Sequence, residues 1–132
     1  MSEHETQLPA ELRAFLYSCI ESIDQVELLL MMRGSERMRT ARDIATELRL
    51  PIAAARGHVE TLTARGLLEA RVGDETSYRY QPKSAELGRY CDLLAQYYIT
   101  ARQSVIAFVA TESRRSIKRF SDAFRLRSPE ES

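Results

Sequence analysis

The chain has 132 residues, 44% hydrophobic and 29% charged, with 19 Lys plus Arg set against 19 Asp plus Glu. That is an ordinary soluble globular composition, long enough for one domain or for a small domain with appended helices. The longest apolar runs, Leu28 to Met32 and Val105 to Ala110, are far too short to span a bilayer, and the polar, acidic start does not read as a signal peptide, so a cytoplasmic protein without membrane contact is expected.

Pro9 can open a first helix, with Leu12, Phe15, Leu16, Cys19 and Ile20 at helical spacing. Ser22 and Gln25 have the spacing of a capping box. They start a second helix, Ile23 to Met32, with Ile23, Val26, Leu29, Leu30 and Met31 available for burial. Arg33-Gly34-Ser35 ends it. Thr40, with Asp43 three residues on, caps a third helix running to Leu48. Pro51 stands at the first turn of a fourth helix reaching Arg65, where its missing N–H costs little. The apolar stripe of this helix is Ile52, Ala55, Val59 and Leu62, and Gly66 supplies the left-handed stop. A hairpin follows: Leu67 to Val72, a turn at Gly73-Asp74, then Thr76 to Tyr80. Ser84 then caps a helix expected to run unbroken to about Thr111. Its Leu87, Tyr90, Leu94, Tyr97, Ala101, Val105 and Phe108 recur at near-heptad spacing. At 1.5 Å per residue such a helix is about 40 Å long, more than a small domain covers, so a second copy is the expected cover. A last helix, Ser116 to about Leu126, has Ile117, Phe120, Ala123 and Phe124 on one face.

Two short helices, a tight turn and a hairpin, in that order, are the layout of a winged helix-turn-helix. The predicted fold is therefore mainly α with a small β-hairpin wing. Residues 1–35 form N-terminal helices, 36–82 the winged core and 83–132 C-terminal dimerisation helices. The balanced charge runs against a nucleic-acid binder, but it is unevenly spread. Residues 1–35 hold six acids and two bases, whereas residues 36–90 hold ten bases and eight acids. Seventeen of the 19 bases are Arg, which suits phosphate and guanine contacts.

The stretch Asp43-Ile44-Ala45, Leu48, Leu50, Val59, Leu62 and Gly66-Leu67-Leu68-Glu69 resembles the MarR-type winged-helix transcriptional regulators. In that family an apolar-Ala pair opens the helix-turn-helix, and a Gly-Leu-apolar step leads into the wing. The tail Phe120 to Arg127 is similar to that of small bacterial winged-helix proteins without assigned function. The resemblance implies a homodimer held by N- and C-terminal helices, with the second helix of the motif in a DNA groove. The chain departs from the family in several places. Arg49 stands in the turn where Gly is common. Ala53, Ala54 and Gly57 stand where Ser, Thr and Arg are usual, Ala70 where Arg is common, and the wing tip Gly73-Asp74-Glu75 is acidic. The chain contains no Asn, so the bidentate Asn–adenine contact is unavailable.

The residues expected at double-stranded DNA are Arg39, Arg42, Ala53, Ala54, Arg56, Gly57, His58, Arg71 and Arg79. Arg56 is the candidate for base contact, because Arg to guanine is the commonest specific pair; the alternative is a solvated arginine. His58 reaches phosphate or base, or else is partly buried. Arg71 and Arg79 grip backbone or minor groove, or else form cross-strand pairs with Glu69 or Glu75. Arg37, Arg39 and Arg42 reach phosphate or are merely solvated. Tyr78, Tyr80, Tyr90, Tyr97 and Tyr98 read as core and dimer packing ahead of an effector pocket. Cys19 and Cys91, far apart and outside any CxxC, read as buried thiols ahead of a disulfide, metal site or redox sensor.

Catalysis finds little support. The chain has two histidines, His4 and His58, and no HExxH, Walker A or GxGxxG motif. The expectation is no enzyme, no metal and no cofactor. The function expected is DNA binding in transcriptional control by a homodimer. The alternative is a winged-helix module that binds another protein and no longer reads DNA, since fold does not fix function.

Overall fold

The computed structural model describes residues 7–111. The elements in order are α1 (Ala10–Cys19), α2 (Ile23–Arg33), β1 (Arg39–Thr40), α3 (Ala41–Leu48), α4 (Ile52–Ala64), β2 (Leu68–Arg71), β3 (Ser77–Tyr80) and α5 (Ala85–Thr100). A sixth helix, α6, occupies residues 102–111. The expected helix Ser116 to Leu126 and the family-like tail lie outside the described residues.

The capping residues set the helix starts. Thr40 Oγ1 accepts from the Asp43 N–H at 3.1 Å, and Asp43 Oδ2 accepts from the Thr40 N–H at 3.0 Å, closing a reciprocal box at the head of α3. At the head of α2, Ser22 Oγ accepts from the Gln25 N–H at 3.3 Å, but Gln25 Oε1 takes the N–H of Glu21, one residue further out, at 2.9 Å. Arg49 closes α3 in the left-handed region at φ 59°, and the Leu50 N–H returns to the Ala45 carbonyl at 2.9 Å. A turn normally given to glycine is thus made by a residue with a Cβ. Gly66 at φ 84° ends α4, and a Cβ there would meet Lys83 Cδ at 2.9 Å. Leu67 and Leu68, which follow it, turn inward and are buried.

The sheet has strand order β1-β3-β2, all antiparallel. Glu69 faces Arg79 and Ala70 faces Tyr78 across the hairpin, while Arg39 faces Tyr78 on the other edge. The two-residue β1 was not expected from the sequence. It is too short to show alternation, and its pairing is with β3, far along the chain.

One hydrophobic cluster runs from Leu8 and Leu12 through Val26, Leu29, Ile44, Val59, Leu62 and Leu94 to Val105 and Val109. In α2 the fully buried residues are Gln25, Val26, Leu28, Leu29 and Met32, whereas the expected Ile23, Leu30 and Met31 are only partly covered. In α4 the expected Ala55, Val59 and Leu62 are buried, but Ile52 is 39% exposed.

The expected unbroken C-terminal helix is corrected. It breaks at Ala101, whose φ of −142° and ψ of 50° leave the helical region. The adjoining β-branched pair Ile99-Thr100 weakens the helix locally, and a straight 40 Å rod would overshoot a core this size. The bend lets α6 bury Val105 and Val109 in the same cluster as Cys91, Leu94 and Tyr98. These positions are therefore covered within one chain, which removes the reason for requiring a second copy to cover them.

Candidate nucleic-acid interface

Helix α4 is held from behind and open in front. Its back, Ala55, Val59 and Leu62, is fully buried. A polar tie adds direction. Gln25, 1% exposed, is turned by the Glu21 N–H so that its amide nitrogen faces His58. Gln25 Nε2 donates to His58 Nδ1 at 3.2 Å. His58 is half-buried and serves to fix α4 against α2. A sequence pattern of apolar spacing could not have found this pair, because glutamine carries no core signal.

The outward side of α4 consists of Ile52, Ala53, Arg56, Gly57 and Glu60, all exposed, with Ala54 partly covered. Arg56 makes no ion pair or side-chain hydrogen bond among the described residues. A Cβ built on Gly57 would meet nothing within 4 Å, so the fold itself does not require a glycine there. Pro51 offers no side-chain cap, and the first-turn N–H groups of α4 stay open to an acceptor. Beside this surface stands β3. Burial pushes the Tyr78 phenol up from its ordinary pKa, Glu60 adds to the rise and Arg56 opposes it.

The remaining arginines divide sharply. Arg37 and Arg39 both reach Glu47 Oε2, at 2.8 and 3.0 Å. Arg39 is 7% exposed, with Nη1 buried and unpartnered, so it braces β1 against α3 with its side chain inside the fold. Arg42 lies 3.7 Å from Glu75 at the wing tip, and Arg79 bonds Glu69 across the hairpin at 2.8 Å. Arg71 at the end of β2 is exposed and has no ion pair among the described residues. Val72, next to it in the wing, is 83% exposed. The structure thus brings Ala53, Arg56, Gly57 and, more deeply, Ala54 onto one helix. It gives Arg71 a free wing position, ties Arg42 and Arg79 to acids, and turns Arg39 and His58 toward the fold's interior supports.

A cleft of about 380 Å³ lies between the chain just before and within α1 and α6, lined by Gln7, Leu8, Arg13, Gln103, Ser104, Ala107 and Phe108. Arg13 Nε is already spent on the Leu8 carbonyl at 3.1 Å. Burial raises the Cys19 thiol and pushes Cys91 up to about 11, so neither is an activated thiolate. Tyr78 and Tyr98 are buried, and Tyr90 stacks with Phe15 at 5.6 Å between ring centroids. Among the described residues no helix is long and apolar enough to cross a membrane.

A capped short helix, a left-handed turn, a second helix, a glycine stop and a three-stranded antiparallel wing define a winged helix-turn-helix. The homodimeric winged helix-turn-helix DNA-binding domain of a possible ArsR-family transcriptional regulator from Mycobacterium bovis, solved by solution NMR, has the same fold. The likeness has a TM-score of 0.51 at 21% identity, covering 70% of this chain and 81% of that one. No family model and no curated protein matches the chain.

Proposed function

We propose that this chain is a DNA-binding transcriptional regulator of winged-helix type that works as a homodimer. The observation that carries the reading is the outward side of α4. It is exposed along Ile52, Ala53, Arg56, Gly57 and Glu60, backed by the buried Ala55, Val59 and Leu62, and carries in Arg56 a guanidinium with no ion pair among the described residues. The Mycobacterium bovis neighbour, described as homodimeric and DNA-binding, supports both parts of the reading. Exposed Tyr17 (47%) on α1 and Ile99 (83%) on α5 are apolar positions that a second copy would cover. The neighbour's possible ArsR assignment and the MarR-like residues of the sequence agree on the broad class and differ on the family. In the dimer each α4 enters a major groove, and half-sites lie about 34–36 Å apart or a multiple of it.

One observation favours the other reading, a protein-binding module. Of Arg37, Arg39, Arg42, Arg56, Arg71 and Arg79, four are ion-paired, which leaves a nearly neutral face. Three of these four pairs lie between exposed or half-exposed partners, and such pairs are worth about 0–1 kcal/mol each, so phosphate can compete for them. The consequence is weak, salt-sensitive DNA binding. Selection of genomic fragments on the immobilised chain, followed by fluorescence anisotropy on the enriched duplex, tests this. Arg56→Ala should cost about 1–3 kcal/mol and relax one base position, whereas Arg71→Ala should weaken all duplexes alike and lower the salt slope by about one. Failure to enrich any fragment would leave the module reading standing.

A further inference from the structure

The leading turn of α4 is unusual for a helix that meets base edges, because it offers no donor. Ile52 is 39% exposed at the first helical position, although its aliphatic neighbours Ala55, Val59 and Leu62 are fully buried. Ala53 is exposed beside it, and Gly57, one turn on from Ala53, leaves open space where a Cβ would stand. Arg56, one turn on from Ile52, is exposed and has no ion partner among the described residues. An apolar edge set at the point of a recognition helix has one complement in the major groove. Thymine alone presents a methyl group there.

Building on the DNA reading, we propose that Ile52 and Ala53 read thymine 5-methyl groups, that Arg56 takes a nearby guanine, and that Gly57 lets the helix backbone approach closely enough for these short side chains to touch. The preferred half-site is then a thymine step next to a guanine. Selectivity comes from methyl burial together with a single bidentate contact. The missing Asn and the Ala53-Ala54 pair, which deprive the helix of hydrogen-bond readers, become part of the recognition chemistry.

The test uses the full chain and its selected duplex, with each thymine replaced in turn by deoxyuridine. This removes the 5-methyl and leaves every hydrogen-bonding group in place. At the contacted thymines the substitution should weaken binding about three- to fourfold per methyl, the equivalent of about 0.8 kcal/mol. Ile52→Ser, an exposed change that leaves the melting temperature within a few degrees of the parent, should bind the thymine and deoxyuridine duplexes equally at one position. Equal affinity of the parent chain for all the deoxyuridine duplexes would overturn the inference and leave the DNA reading intact, as would retained methyl discrimination in Ile52→Ser. If the chain binds no duplex, both fall, and the Ile52–Ala53 edge belongs to a protein contact.

Discussion

Gly57 separates the demands of the fold from those of a ligand. Inside a helix, glycine costs about 0.5–1 kcal/mol relative to alanine, and here a Cβ would meet nothing within 4 Å. Gly57→Ala should therefore raise stability by about that amount in urea melts. It should also weaken duplex binding by about 1–3 kcal/mol, because a methyl is driven into a close contact. A stabilised variant with unchanged DNA affinity would remove Gly57 from the interface. His58 presents the opposite balance. Its ring accepts the Gln25 amide at 3.2 Å, and Gln25 is 1% exposed. His58→Ala leaves a buried donor without a partner and should cost about 1–3 kcal/mol. Arg56→Ala, at an exposed site, should leave the melting curve almost unchanged.

At the scale of elements, the head of α3 carries a pH signature. The Thr40 backbone N–H holds the Asp43 carboxylate below its ordinary pKa of 3.8, with burial opposing and Arg37 and Arg39 assisting. A carboxyl depressed in the folded state contributes its full stability above its unfolded pKa. That contribution is lost as the pH falls through the lower folded value. Stability should therefore drop below about pH 4, and Asp43→Asn should flatten that acid limb. An unchanged limb in Asp43→Asn would place the acid sensitivity elsewhere.

Elements with local signals were legible in the sequence. The caps at Ser22, Thr40 and Ser84, the Pro51 entry and the Gly66 stop each mark a boundary that the structure keeps to within a residue or two. What lacked a local signal was misread. The run Leu28 to Met32 has no polar position to mark a face, so the residues in contact with the core were chosen by packing. Ile52 looked like part of the buried stripe of α4 because periodicity cannot tell a core position from an exposed apolar one at a helix end. The bend at Ala101 comes from the shape of the core and leaves the heptad-like spacing intact. In the candidate interface, the composition of α4 was legible, whereas the burial of Arg39 and the inward tie of His58 depend on partners distant in sequence.

The whole molecule raises the question of assembly. Bending α5 into α6 buries Leu94, Val105 and Val109 within one chain, so the proposed dimer would have to use other surface, where Tyr17 and Ile99 are exposed apolar positions. Light scattering at tens of micromolar should report a dimer, and Ile99→Glu should shift it toward monomer without lowering helicity. A monomeric parent chain would confine it to a single half-site.

In the proposed function, α4 and the wing are the parts that meet DNA. Titrating the isotopically labelled chain with its selected duplex and following the backbone amide signals tests it most directly. The largest shifts are expected at Ile52 to Glu60 and around Arg71 and Val72, with α1 and α5 moving little, and the shifts should be lost as salt is raised. Shifts centred on α1, α5 or α6, or no shifts at low salt, would contradict it.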